Sequence, residues 1–286
     1  MTDAHTRVYC LIGDPVRHSL GPKIHNASFG EVGINAVYVA FQVQDATAAV
    51  NGIRALGISG ASVTIPHKLA VMPLLDEIDE VARMIGAVNT IVNEGGKLFG
   101  LNTDGAGALK ALKDAGIEPA GKKIAIIGSG GAARAVSFTL AAKERIAGVA
   151  VLGIITQEAA KLAAELSEKT GVSASAINLD KETNDARGAV GAADLVINTS
   201  PVGMYPAKDT TPIPPTWVRA EAAVFDVVYT PPETRLLRDV AALGCRTVRG
   251  VDMFINQAVL QFERWTGKPA PVSLMRQIVL KKFGAK

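Results

Sequence analysis

The 286-residue sequence predicts an α/β protein made of two units, and three observations carry that prediction. Short β-like runs alternate with amphipathic helical stretches along most of the chain, the rhythm of βαβ connections around a mostly parallel sheet with helices on both faces. A compact apolar strand at 123–127 runs directly into a glycine-rich turn and then a helix. Between them, near residues 103–107, the pattern changes from a hairpin to a helix at 108–115.

In the first unit the strand candidates are 8–12, 36–43, 61–65, 87–93 and 97–101, and the helix candidates are 22–32, 46–56 and 67–75. Glu94-Gly95-Gly96-Lys97 reads as a tight turn joining the last two strands, so an antiparallel edge is expected there. The second unit follows strand 123–127 with helix 134–143, strand 149–152, helix 158–169 and strands 194–198 and 223–227. Three prolines make 211–215 a loop. Helix 236–242, a short run at 247–248 and helices 252–265 and 272–282 complete the chain, with Trp217 and Trp265 as packing residues.

Composition narrows the function. Hydrophobic residues make up 48% and charged residues 20%, and the formal charge is only +3 with Lys and Arg scattered, so no basic stripe suggests a nucleic-acid partner. No apolar run of about 18 residues offers a membrane span, and the N-terminus lacks the basic and apolar regions of a signal peptide. Cys10 and Cys245 read as buried or half-buried thiols in a reducing, cytoplasmic setting. His18, His25 and His67 show no metal-ligand spacing, so no metal is expected.

Gly128-Ser129-Gly130-Gly131-Ala132-Ala133 sits between strand and helix, as a dinucleotide-binding turn requires. Gly128 allows the tight turn, Gly130 lets backbone approach a pyrophosphate, and small Ala133 lets helix and strand pack closely, with helix amides facing the phosphates. The second half of that fingerprint, an acid for the ribose hydroxyls or an Arg for a 2′-phosphate about 20 residues on, falls at Gly153-Ile154-Ile155-Thr156 and is missing.

In the first unit, polar strings follow strand after strand: Asp14-Pro15 with His18-Ser19, Val63-Thr64 with Pro66 and Lys68, Gly86-Ala87-Val88-Asn89-Thr90, and Asn102-Thr103-Asp104-Gly105. In a parallel sheet the strand C-termini share one edge, which gathers Ser19, Thr64, Lys68, Asn89 and Asp104. Each has a bland explanation. A lone Lys is usually a solvated charge, Asp104 suits a helix N-cap, and Asn89 and Thr64 suit backbone satisfaction.

In this order, and continued by Gly128-Ser129-Gly130-Gly131-Ala132, Asn198-Thr199-Ser200 with Gly203-Met204, and Gly250 with Met253 and Gln257, the strings resemble the shikimate/quinate dehydrogenase family over nearly the whole chain. The resemblance implies a two-lobed α/β enzyme with its active site in the cleft. Residues 1–104, completed by helices in 250–286, would form the substrate domain, and 105–249 the Rossmann-type dinucleotide-binding domain. It implies hydride transfer between NADP or NAD and a ring hydroxyl of shikimate or a close analogue such as quinate, the chemistry of aromatic amino acid biosynthesis.

The family's catalytic pair falls on Lys68 and Asp104, and its substrate contacts on Ser19, Thr64, Asn89, Tyr229 and Gln257. The cofactor positions are Gly128, Ser129, Gly130, Gly131, Ala132, Thr156, Asn198, Thr199, Gly203, Met204, Gly250 and Met253. The expected partner is a small cyclic hydroxy acid, and the expected state a monomer or homodimer. A non-catalytic metabolite sensor on the same fold is the alternative, and retention of Lys68 argues against it. A folate-pathway dehydrogenase of the same plan fits the Asn102-to-Gly105 string poorly.

Two departures stand out. Gly21 replaces the second hydroxyl residue of the first substrate motif, and Ser62 stands where the family often has Asn. Loss of one hydrogen bond to a charged group costs roughly 1.5–3 kcal/mol if nothing replaces it, enough to change which acid is preferred or to leave room for a bulkier or differently placed group. The Asn-Arg-Thr/Ser string of NADP-using members is matched by Ile154-Ile155-Thr156, so the phosphate preference stays open between NADP and NAD.

Overall fold

The computed structural model describes residues 2–180 and 184–283. The chain divides into two compact units, Met1–Thr103 together with Ile255–Lys286, and Asp104–Phe254.

The first unit holds a six-stranded sheet in the order β2-β1-β3-β5-β6-β4. Its strands are β1 (Arg7–Gly13), β2 (Ala36–Gln42), β3 (Gly60–Val63), β4 (Glu77–Ile78), β5 (Thr90–Glu94) and β6 (Lys97–Leu101). β1 runs parallel to β2 and β3, while β5 is antiparallel to both β3 and β6. The Gly95-Gly96 turn, with φ of 64° and 95°, joins β5 to β6 as the sequence predicts. That hairpin is not the edge, however. The two-residue β4, which no sequence pattern marks, pairs parallel with β6 outside it.

Helices α1 (Gly21–Glu31), α2 (Ala46–Ala55) and α3 (Glu80–Ile85) connect these strands. Asp45 and Asp79 cap α2 and α3 by accepting two backbone amides each, and Gly86 ends α3 in the left-handed region at φ 76°. The helix expected at 67–75 does not form. That stretch is a series of turns and a 3-10 turn at Met72–Leu74, where Pro73 supplies no amide donor. Cys10, Ile12, Val63, Ile91 and Leu98 lie in the core of this unit.

The second unit is an all-parallel sheet in the order β12-β11-β10-β7-β8-β9. Its strands are β7 (Lys123–Ile127), β8 (Gly148–Gly153), β9 (Ala174–Asn178), β10 (Leu195–Asn198), β11 (Ala223–Asp226) and β12 (Arg246–Arg249). Numbered within the unit, that is the doubly wound order 3-2-1-4-5-6, with the crossover between β7 and β10. Helices α4 (Thr103–Asp114), α5 (Gly131–Lys143), α6 (Thr156–Thr170), α7 (Asn184–Ala192) and α8 (Arg235–Ala242) belong with it.

Helix α9 (Gly250–Thr266) carries the chain back into the first unit, and α10 (Val272–Lys282) packs on α1. Trp265 on α9 is buried there, donating its indole N–H to the Ile91 carbonyl at 2.9 Å and accepting from Tyr9 through its own carbonyl at 3.2 Å. A Cβ on Gly60 would lie 2.4 Å from the Trp265 Nε1, so only glycine fits beneath the ring. Among the described residues, no helix is long and apolar enough to cross a membrane.

Candidate active site

In the first unit the polar strand ends are locked to one another by backbone. β1 ends at Gly13, where a Cβ would meet the Thr64 side chain at 2.2 Å, so glycine admits Thr64 against the strand. Thr64 donates its amide to Ile12 and accepts from His67 through its carbonyl. The His67 ring, nearly fully buried, bonds the Val43 carbonyl at 2.6 Å. The Lys68 carbonyl accepts from the Val88 amide at 2.9 Å, and the Asn89 amide donates to Leu101 at 3.0 Å. Lys68, half-buried, is thus carried on a turn pinned at both ends.

Asn89 is buried and reaches forward. Its Oδ1 accepts from the Thr103 amide at 2.8 Å and its Nδ2 donates to Thr103 Oγ1 at 3.0 Å, which fixes the start of α4. Asp104 therefore does not sit before the helix as a cap. It lies in the first turn, directly after the residue that Asn89 holds.

Behind Asn89 runs a buried polar chain that sequence reasoning missed. Tyr38 donates to Ser62 Oγ at 2.8 Å, and Ser62 donates to Gln261 Oε1 at 3.0 Å. Gln261 Nε2 donates to Thr90 Oγ1 at 2.9 Å and to the Asn89 carbonyl at 3.3 Å, and Thr90 donates to Asn89 Oδ1 at 2.7 Å. The signal was present in the spacing. Gln261 follows Gln257 by four residues within a predicted helix, which puts both on one face.

His25 stacks on Tyr38 with ring centroids 4.6 Å apart. Burial pushes its pKa down to about 3, so the ring is neutral, and its Nδ1 is buried with no hydrogen-bond partner.

A side chain at Gly21 would be tightly placed. A Cβ there would lie 3.2 Å from both the Tyr38 hydroxyl and its ring edge, and 3.3 Å from Ser19 Oγ. Tyr38 lies against Gly21, and Ser62, the second departure, accepts a hydrogen bond from its hydroxyl. Ser19 Oγ accepts the Gly21 amide at 3.1 Å.

In the second unit, the turn after β7 and the loop after β10 flank the crossover point. Gly128 has φ 110°, and a Cβ there would meet Thr199 Oγ1 at 2.8 Å, so conformation and crowding both demand glycine. Nothing lies within 4 Å of a Cβ at Gly130 or Gly131. Helix α5 starts without a side-chain cap, leaving its first amides to a ligand, and Ala133 is fully buried against the sheet. These residues fit the pyrophosphate of a dinucleotide. At the end of β8, where the adenosine ribose is met in such sheets, Ile154 and Ile155 stand exposed.

Asn198 is fully buried and works within the loop. It donates to Asp226 Oδ1 at 2.9 Å and to the Val202 carbonyl at 3.3 Å, and accepts from the Ser200 amide and hydroxyl at 3.0 and 2.7 Å. Thr199 donates to the Ile127 carbonyl at 2.7 Å. The loop continues through Gly203 at φ 93° to exposed Met204. Asp226 also accepts from Thr234 at 2.7 Å and from the Val228 amide at 3.0 Å, and burial pushes its pKa up to about 6.

Gly250 is required by close packing, since a Cβ would meet the Val227 carbonyl oxygen at 2.4 Å. Tyr229 stacks on Phe254 with centroids 4.9 Å apart. Thr156 Oγ1 accepts from Asn178, and Met253 is half-buried in the first turn of α9. Among the described residues, no group of three or more His, Cys, Asp and Glu side chains is placed to hold a metal ion.

Comparison with known proteins gives a consistent result. Residues 11–91 match the shikimate dehydrogenase substrate binding domain, and residues 250–280 match the shikimate 5′-dehydrogenase C-terminal domain. The NADP(+) shikimate dehydrogenase of Moorella thermoacetica is 46% identical over 99% of this chain and 95% of its own length. That of Methanopyrus kandleri is 47% identical over 98% and 97%. A crystal structure of shikimate 5-dehydrogenase from Listeria monocytogenes, in complex with shikimate and NAD, superposes with a TM-score of 0.93 at 35% identity, covering 97% of this chain and 98% of that one. With sequence, sheet order and glycine turn in agreement, this chain belongs to the shikimate dehydrogenase family.

Proposed function

We propose that the protein interconverts 3-dehydroshikimate and shikimate, or a close cyclic hydroxy acid such as quinate, with NAD(P) as the hydride partner. The supporting observation is that Lys68 and Asp104 are both referred to one short segment. The Lys68 carbonyl is bonded by Val88, and Thr103, immediately before Asp104, is held by Asn89. Preorganisation of this kind is what positioning of a proton donor needs.

The nicotinamide, when bound, supplies or accepts the hydride. The Lys68 ammonium donates a hydrogen bond to the ring oxygen as negative charge grows on it and delivers the proton that completes the alcohol. Asp104 is assigned as the second member of the catalytic pair, a carboxylate acceptor that orients the reacting hydroxyl. Ser19, Thr64, Asn89, Gln257 and Tyr229 are assigned to the substrate. The glycine turn at 128–132, together with Thr156, Thr199, Gly203, Met204, Gly250 and Met253, is assigned to the dinucleotide. Asn198 serves it indirectly by shaping its loop. The buried thiols of Cys10, pushed up to about 12 by burial, and Cys245 suit a reducing cytoplasm. The protein is taken to act as a monomer or homodimer without nucleic-acid or membrane partners. A panel of shikimate, quinate and related cyclohexane carboxylates, each with both nicotinamides, tests the proposal. Absence of nicotinamide reduction with every acid would refute it.

A further inference from the structure

We infer that this chain selects NAD over NADP, and that the apolar end of β8 with the neighbouring Glu158 carboxylate makes the selection. The inference rests on the dinucleotide site proposed above and narrows it. In a doubly wound sheet, the end of the second strand meets the adenosine ribose. An acid there receives the free hydroxyls, and a guanidinium pairs with the 2′-phosphate. β8 is that strand, paired with β7 along its length. It is followed by Ile154 and Ile155, 69% and 51% exposed. Adjacent exposed isoleucines gain nothing from water, but they offer an apolar face to an adenine ring.

Among residues 153–160 no side chain carries a positive charge that could pair with an added phosphate. Thr156 Oγ1 already accepts from Asn178 Nδ2 at 2.8 Å, and Asn178 Oδ1 accepts the Asp180 amide at 2.7 Å. Glu158, in the first turn of α6, accepts from the Ser129 hydroxyl of the glycine turn at 3.2 Å, which anchors a carboxylate beside the nucleotide site. Lys161, further along α6, lies 4.0 Å from Glu165 Oε1. A phosphate monoester carries between about one and a half and two negative charges near neutral pH. At the end of β8 it would lose water and meet a carboxylate, with no Arg or Lys among residues 153–160 to pair with it. An unphosphorylated ribose needs only acceptors, which Glu158 supplies. The names of the two relatives specify NADP(+), so the preference inferred for this chain differs from theirs.

Calorimetric titration of the purified protein with NAD and NADP, and with 5′-ADP and 2′,5′-ADP as adenosine-only probes, tests this without relying on turnover. The expected Kd for NADP is at least tenfold above that for NAD, with the same order for the two probes. Ile155→Arg should lower the NADP Kd tenfold or more, and salt should weaken that gain. Glu158→Gln should narrow the gap in the wild-type background. NADP binding as tightly as NAD, or more tightly, overturns the inference and leaves the dehydrogenase proposal standing. Binding of neither dinucleotide overturns both.

Discussion

Lys68 and Asp226 are charged residues put to opposite uses. Lys68 is half-buried on a pinned turn, and its removal deletes the proposed acid. Lys68→Ala should therefore lower kcat by about two to four orders of magnitude with little change in unfolding midpoint, as steady-state kinetics and urea melts would register. Asp226 is buried behind Asn198, and its pKa is raised from 3.8 to about 6. Between those values the folded state holds a proton that the unfolded state has lost, so stability falls as pH rises through the window. From about pH 8 down to about pH 5, the wild type should gain about 1 kcal/mol relative to Asp226→Asn; equal slopes in the two proteins would contradict the burial account. Gly21 illustrates what the sequence alone misjudges. It reads only as a missing hydroxyl, because nothing local announces that the Tyr38 ring lies against it. Gly21→Ser should cost about 1–3 kcal/mol through crowding, and Tyr38→Phe should relieve part of that cost in the double variant, measured by chemical denaturation.

Among the elements, those with strong periodicity or distinctive turns were legible. Strand β7, the glycine turn and the Gly95-Gly96 hairpin follow from apolar runs and from backbone conformations that only glycine adopts readily. The elements that were missed carry weak signals. β4 has two residues, β9 (Ala-Ser-Ala-Ile-Asn) is half-buried along most of its length, and α7 includes Gly188 and Gly191. The 67–75 stretch has helical spacing, yet Pro73 and the three-residue bonds from His67 to Thr64 and from Met72 to Leu69 hold it in turns. Helix α9 mattered more than its pattern suggested, because Gln261 links Ser62 on β3 to Thr90 on β5 and to Asn89. Gln261→Leu strands several buried groups at once. It should cost about 1–3 kcal/mol in urea unfolding and raise KM for the acid more than it lowers kcat, since Asn89 loses its support. Gln261→Glu, which keeps an acceptor for Ser62, should recover part of the loss.

For the whole molecule, the sheet order 3-2-1-4-5-6 in the second unit explains why residues as distant in sequence as Gly128 and Thr199 come together. Ordered strings along the chain were enough to identify the family, because each marks a strand end and the topology gathers strand ends. They could not reveal the side-chain packing behind Asn89, which depends on α9 returning to the first unit. The rate of nicotinamide reduction by wild type and Lys68→Ala, with shikimate as substrate, tests the role of Lys68 as proton donor. The wild type should reduce the nicotinamide robustly, and kcat in the variant should fall by about two to four orders of magnitude. No reduction by the wild type with any nicotinamide, or equal rates for the two proteins, would contradict that role.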